Sequence, residues 1–178
     1  MRIIAGHWRG RAIAAPPGAA TRPTADRVRE ALFSMLTSRL GSFEGLRVLD
    51  GFAGTGALGL EALSRGAGHG TFVENDPAAV KVLRANIAGM KFAADVIAAP
   101  IEAIGTAPNP CHLILLDPPY ASGLAEPVLV RLRERGWIAP HALISVETSR
   151  KDVVAGDFEV LVVRDHGKAR LHLLRASG

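Results

Sequence analysis

The stretch Leu46-Arg47-Val48-Leu49-Asp50-Gly51-Phe52-Ala53-Gly54-Thr55-Gly56-Ala57-Leu58-Gly59 decides the fold. An apolar strand over residues 46–50 stops on a carboxylate. A run of small residues follows, and an apolar helix over 55–65 begins. The period of the apolar positions thus changes from two to nearly four across a glycine loop, which is how a strand–turn–helix unit reads. The alternation recurs downstream. A strand over 69–73 leads into a helix over 77–88 with Pro77 at its first position. A weaker strand covers 95–98, a strongly apolar one covers 112–116, a helix covers 124–135 and a strand covers 142–146. Strands this apolar are buried on both faces, as in parallel sheets covered by helices.

Outside this core, residues 158–164 and 171–175 alternate and close a hairpin around His166-Gly167-Lys168. Upstream, a helix runs from Thr24, which can cap it, to Gly41, with Asp26 in its first turn and Val28, Ala31, Leu32, Met35 and Leu36 on one apolar face. Residues 2–13 read as two short extended pieces around a glycine turn, and 14–23 as a Pro/Gly/Ala linker. The expected architecture is α/β, a doubly wound, mostly parallel sheet. It divides into a basic hairpin arm and linker (1–23) and one domain (24–178).

A chain of 178 residues suits one domain, and 48% hydrophobic with 21% charged residues excludes disordered, collagenous and coiled-coil classes. Cys111 is the only cysteine, which excludes an intramolecular disulfide, argues against a cysteine-based zinc site and fits a reducing compartment. No metal is expected. No apolar run approaches the ~18 residues of a membrane span. The N-terminus is Arg-rich and acid-free like a transit peptide, but Gly6, Gly10, Pro16, Pro17 and Gly18 break the helix such a peptide needs. The arm is therefore read as part of the mature, cytoplasmic protein.

The net charge is +4, and all of it sits in residues 1–25, where Arg2, Arg9, Arg11 and Arg22 face no acid. A one-sided basic arm is the footprint of a phosphate-bearing partner, against the plainer reading of a solvated tail.

Two cofactors compete for the glycine loop. Gly54, Gly56 and Gly59 satisfy the dinucleotide pattern, with Glu74 twenty residues after Gly54. The register favours another ligand: the strand ends in Asp50, and three residues intervene before Gly54. A carboxylate there suits a cation better than a pyrophosphate. S-adenosylmethionine carries an ammonium and a sulfonium and no phosphate. Asp50 can face its amino-acid end, and Glu74, flanked by Asn75 and Asp76, its ribose hydroxyls.

Asp117-Pro118-Pro119-Tyr120 directly follows the apolar strand at 112–116. The bland reading is a Pro-Pro turn. The position, on the same sheet edge as the glycine loop, favours chemistry. An exocyclic nucleobase amine is a poor nucleophile because its lone pair is delocalised into the ring. A carboxylate and a rigid carbonyl can accept its N–H groups and aim the lone pair, and prolines fix that carbonyl. Tyr120, the only tyrosine, can stack on the base.

These segments resemble a known family. Arg2-Ile3-Ile4-Ala5-Gly6 with Arg9-Gly10-Arg11, then Arg22-Pro23-Thr24, Asp26-Arg27-Val28-Arg29-Glu30-Ala31-Leu32-Phe33, the glycine-loop segment, Val73-Glu74-Asn75-Asp76 and Asp117-Pro118-Pro119-Tyr120 resemble the bacterial RsmD family over nearly the full length. The resemblance implies a seven-stranded, Rossmann-like class I S-adenosylmethionine-dependent methyltransferase with an N-terminal β-hairpin. It implies methylation of N2 of one guanine in 16S ribosomal RNA, within the small subunit or an assembly intermediate. A monomer is the default expectation, on which the sequence itself is silent. Carried over by position, Asp50, Phe52, Ala53, Gly54, Thr55, Gly56, Glu74 and Asn75 bind the cofactor, and Asp117, Pro118, Pro119 and Tyr120 form the catalytic segment. Arg9, Arg11, Arg22, Arg27 and Arg29 meet RNA near the active site.

The chain departs from the family pattern twice. The acid that meets the cofactor's adenine is missing from Val96-Ile97-Ala98-Ala99-Pro100-Ile101-Glu102, which leaves a backbone contact or Glu102. The family's Tyr-Gly-Lys is here His166-Gly167-Lys168, read as an exposed turn histidine rather than a base. Three other functions stay in view: a DNA adenine-N6 methyltransferase, an NAD-dependent oxidoreductase and a non-catalytic RNA-binding module. The first would need a recognition domain for which there is little room. The other two leave the Asp-Pro-Pro-Tyr segment without a role.

Overall fold

The computed structural model describes residues 1–19, 23–152, 154 and 156–178, and only the backbone of Pro23 and Thr24. The elements run α1 (Pro23–Leu40), β1 (Arg47–Gly51), α2 (Ala57–Ser64), β2 (His69–Val73), α3 (Pro77–Met90), β3 (Ala94–Ile97), β4 (Cys111–Leu116), α4 (Ala125–Glu134), β5 (Ile138–Ser149), β6 (Glu159–His166) and β7 (Ala169–Arg175). The seven strands lie in the order β3-β2-β1-β4-β5-β7-β6. The first five are parallel, and β7 runs antiparallel between β5 and β6. The strand order reverses between β1 and β4, so a crevice opens beyond their carboxyl ends, where open α/β sheets bind ligands.

Strand alternation sorts the core into two layers. Val48, Phe72, Leu113, Leu115, Leu171 and Leu173 pack under α1, α2 and α3. Leu49, Val73, Ile114, Leu116 and Ile144 pack against Val128, Leu129 and Leu132 of α4. No helix among the described residues is long and apolar enough to cross a membrane.

Several element limits differ from the sequence reading, each for a local reason. Helix α1 starts at Pro23, a favoured first position, so Thr24 lies inside the first turn. Helix α2 starts two residues late because Gly56 is left-handed (φ 86°) and forms its N-cap. Strand β5 starts at Ile138, four residues early. It passes through Pro140 and His141 (φ 62°), where its register against β4 shifts.

The arm is more integrated than a hairpin with a linker. It closes on one antiparallel bridge, Arg2 with Ala12. Its Ile3 and Ile13 are buried in the α1–α3 core layer. The fully buried Glu61 of α2 accepts hydrogen bonds from the backbone N–H of Ile4 (2.9 Å) and Ala5 (3.0 Å). Ser64 donates to the Ala5 carbonyl and accepts from the Trp8 N–H. Gly6 (φ 86°) passes so close to the last turn of α2 that a Cβ would collide with the Ser64 carbonyl.

Candidate active site

The crevice at the β1/β4 reversal is a cleft of about 800 Å³. Its floor is the glycine loop and the end of β4. Its walls are α1, through Ala25, Val28 and Arg29, and the β6–β7 hairpin, through His166 and Lys168. Asp50, Phe52, Ala53, Gly54, Thr55, Asp117 and Tyr120 all line it. The structure therefore brings the glycine loop and two members of the catalytic segment, Asp117 and Tyr120, together. Gly56, Glu74 and Asn75 stand behind the loop rather than on the cleft wall.

Asp50 is the penultimate residue of β1, fully buried, and its Oδ2 accepts the Gly59 N–H at 2.9 Å. Gly56 has no side chain with which to cap α2, so Asp50 does this from the neighbouring strand. Burial pushes its carboxyl well above the usual range, against the Gly59 hydrogen bond, while the charges of Asp117 and Glu74 push the same way as burial. A carboxylate so placed gains from a cation in the cleft. Gly59 has a second role: a Cβ there would strike the Phe72 ring, so helix and sheet could not close.

Glu74 directly follows β2 and holds the loop. Its Oε2 accepts the Gly54 N–H at 2.7 Å, and its Oε1 accepts the N–H groups of Asn75 and Asp76, each at 3.0 Å. Phe52 takes a positive φ of 65°, uncommon for an aromatic residue and a mark of a loop shaped by its surroundings. At Gly54 (φ 57°) nothing stands within 4 Å of where a Cβ would lie, so the loop backbone is open to a ligand.

The register of β4 with β5 pairs Leu116 with Val146. One residue further, at the carboxyl edge, stand Asp117 and Glu147. Both line the cleft and a smaller pocket beside it, which Pro118, Pro119 and Tyr120 also line. Burial and then the Glu147 charge push Asp117 up to about 7, and burial raises Glu147 as well. Tyr120 is 69% exposed, an open aromatic face at the mouth of the cleft. Sequence reasoning missed Glu147. The only available signal was its place one step beyond an apolar strand, the place Asp117 holds on β4.

The RNA residues expected from the resemblance separate. Arg22 lies outside the described residues. Arg9 and Arg27 are exposed but do not line the cleft. Arg11 bonds the Gly89 carbonyl in the last turn of α3 (2.9 Å) and lies over the Trp8 ring. The turn carrying Arg9 and Arg11 thus docks on the C-terminal ends of α2 and α3, away from the helix ends that face the cleft. Arg29 is 5% exposed and lines the cleft wall, and its Nη2 donates to the Arg2 carbonyl (2.6 Å), so it also pins the arm. His166 is a correction: it ends β6, half-buried, on the cleft wall, and Gly167-Lys168 alone form the turn. Glu102 lies exposed in a short 3-10 turn off the cleft lining.

This sheet order, with acids at the carboxyl ends of β1 and β2, a glycine loop at the reversal and Asp-Pro-Pro-Tyr after β4, defines a class I S-adenosylmethionine-dependent methyltransferase. The profile of the family described as Conserved hypothetical protein 95 matches residues 1–175, and the chain belongs to this family, that of RsmD. Ribosomal RNA small subunit methyltransferase D of Escherichia coli (strain K12) is 41% identical over 150 residues, 83% of this chain and 74% of that protein. Its namesake from Haemophilus influenzae is 41% identical over 156 residues, 84% of this chain and 79% of that protein. The solved structure of the E. coli protein yhhF superposes with a TM-score of 0.88 at 37% identity, covering 100% of this chain and 98% of that one. The fold is shared more widely. The 16S rRNA N2 G1207 methyltransferase RsmC of Thermus thermophilus, solved with AdoMet and guanosine, gives a TM-score of 0.70 at 22% identity, over 99% of this chain and 49% of that one.

Proposed function

We propose that this chain methylates the exocyclic N2 amine of a guanine in small-subunit ribosomal RNA, using S-adenosylmethionine. The observation that carries the reading is Asp117 and Tyr120 lining one cleft with the Asp50–Gly54 loop. The residues present fit the cofactor: buried Asp50 suits its ammonium, Glu74 its ribose hydroxyls and the open Gly54 backbone its close approach. When bound, it supplies an electrophilic methyl on a sulfonium leaving group.

The chain's own residues do the positioning. The Asp117 carboxylate and the Pro118 carbonyl accept the two N–H groups of N2 and aim its lone pair. Neither Pro118 nor Pro119 has an N–H to compete. Tyr120 stacks on the base, worth about 1–3 kcal/mol. With its carboxyl raised to about 7, Asp117 can also take the proton that N2 sheds, close to the pH at which a general base works best. A base inside a duplex cannot reach the cleft, so the target is unstacked or flipped. One chain carries all of these groups, which supports action as a monomer, and a ribosomal substrate supports action in the cytoplasm.

The test is transfer of labelled methyl to unmethylated small subunits, to protein-free small-subunit RNA and to duplex DNA, with identification of the nucleoside. N2-methylguanosine in ribosomal RNA, lost in Asp117→Ala, is the expected result. N6-methyladenine in DNA would overturn the substrate, and no transfer to any of the three would overturn the reading.

A further inference from the structure

Helix α1 and the β6–β7 hairpin meet along a seam, and the catalytic cleft is only its upper end. Below it the seam opens into a groove of about 700 Å³ lined by Ala31, Ser34, Ser38 and Arg39 of α1 and by Arg164 and Arg175 of the hairpin, among others. No acidic residue lines this groove among the described residues. Arg39 and Arg164 are exposed, and neither makes an ion pair among the described residues. Arg175 alone has an acid nearby, Glu159 at 4.0 Å.

The two cavities are joined by strand geometry. Arg164 stands opposite Leu171 and His166 opposite Ala169, on the face of the sheet that α1 covers. Side chains two apart share a face, so Arg164 and His166 point to the same side. His166 lines the cleft and Arg164 the lower groove. On the facing wall, α1 carries the seam from Ala25 to Arg39, ~21 Å at the helical rise. Lys168 on the cleft wall, then Arg164, Arg39 and Arg175, form a cationic line that leads away from Tyr120 and Asp117.

We infer that this seam is the track for the ribosomal RNA strand that flanks the target guanine, with Arg39 and Arg164 as its phosphate contacts. The inference rests on the RNA reading above and names the surface that reading requires. A polyanion is the occupant that charge complementarity selects. The small α1 residues Ala31, Ser34 and Ser38 leave room for a backbone to come close, and the serine hydroxyls can donate to phosphate oxygens. Arg39 also sits in the last turn of α1, where a cation is favoured by the helix dipole. That preference gives no reason for Arg164 to face it from another element.

The test is binding of protein-free small-subunit RNA across a salt series. The proteins compared are wild type, Arg39→Ala/Arg164→Ala, Arg39→Lys/Arg164→Lys and a control, Lys81→Ala/Arg84→Ala, which removes the same charge from the exposed side of α3. The alanine pair should weaken binding and flatten the salt slope by about 0.7 per lost single-strand contact. The lysine pair should keep most of the slope, and the α3 pair should match wild type. Cofactor binding by each variant reports that the fold is intact. An alanine pair that matches wild type, or an equal loss in the α3 pair, overturns the track while wild-type transfer keeps the RNA reading. A wild type that neither binds nor methylates the RNA overturns both.

Discussion

Asn86 of α3 donates a 2.9 Å hydrogen bond from Nδ2 to the carbonyl of Thr55, in the glycine loop. The same amide holds Ala14 of the arm at both backbone groups, accepting from its N–H and donating to its carbonyl, each at 3.0 Å. One buried side chain thus ties the arm to the floor of the cleft. Replacing Asn86 with Leu leaves the Ala14 N–H and two carbonyls without partners, and an unsatisfied buried polar group costs about 1–3 kcal/mol. The expected result is a lowered Tm together with weaker cofactor binding, because Thr55 is released. Calorimetric titration that shows full cofactor affinity in a destabilised but folded variant would confine Asn86 to the arm.

Glu74 is expected to act on the cofactor partly through the loop it holds. Its carboxylate occupies three backbone N–H groups, Gly54, Asn75 and Asp76. Glu74→Ala should lower cofactor affinity by tenfold or more, since each 1.4 kcal/mol is a factor of ten. Glu74→Gln keeps the shape and one acceptor oxygen, and should fall between. Equilibrium dialysis with labelled cofactor separates these cases. Equal affinity in all three proteins would remove Glu74 from the binding site.

Gly6 tests how firmly the arm is docked. Alanine there faces both the positive φ and the collision with the Ser64 carbonyl. The left-handed backbone alone costs roughly 1–2 kcal/mol for a non-glycine residue, and the clash adds to it. Gly10, at φ 82° with nothing within 4 Å, is the control that carries only the backbone cost. Gly6→Ala should therefore lower Tm well beyond Gly10→Ala. Equal losses at the two positions would mean the arm lifts away at little cost.

The parallel sheet was legible in the sequence because its strands are short apolar runs bounded by glycine or proline, and Asp50, Glu74 and Asp117 were legible because each ends such a run. What escaped depends on tertiary register. The insertion of β7 between β5 and β6 leaves no local trace, since hairpin alternation reads the same in either order. Arg29 has the composition of a surface cation, and only the path of Arg2 across it makes it a buried pin. Glu61 and Asn86 look like ordinary helix polars until the arm presents backbone groups to them. Glu147 became a site residue only when β5 was set in parallel beside β4.

The pairing of Asp117 with Glu147 gives the pH prediction its sign. Burial first, and the Glu147 charge second, hold Asp117 up to about 7, against an ordinary value of 3.8. As a hydrogen-bond acceptor and base it must be ionised, so methyl transfer should rise with pH through the region near 7. Glu147→Gln removes the neighbouring charge, so the rise should move to lower pH. Stability runs the other way. A carboxyl whose folded pKa is raised binds more protons folded than unfolded, so it destabilises the fold increasingly as pH climbs from about 4 to about 7. Asp117→Asn should therefore abolish transfer and yet raise Tm, more at pH 8 than at pH 5. A pH–rate profile unmoved by Glu147→Gln, or an Asp117→Asn Tm gain that is the same at both pH values, would show that the two carboxylates do not share the site electrostatically.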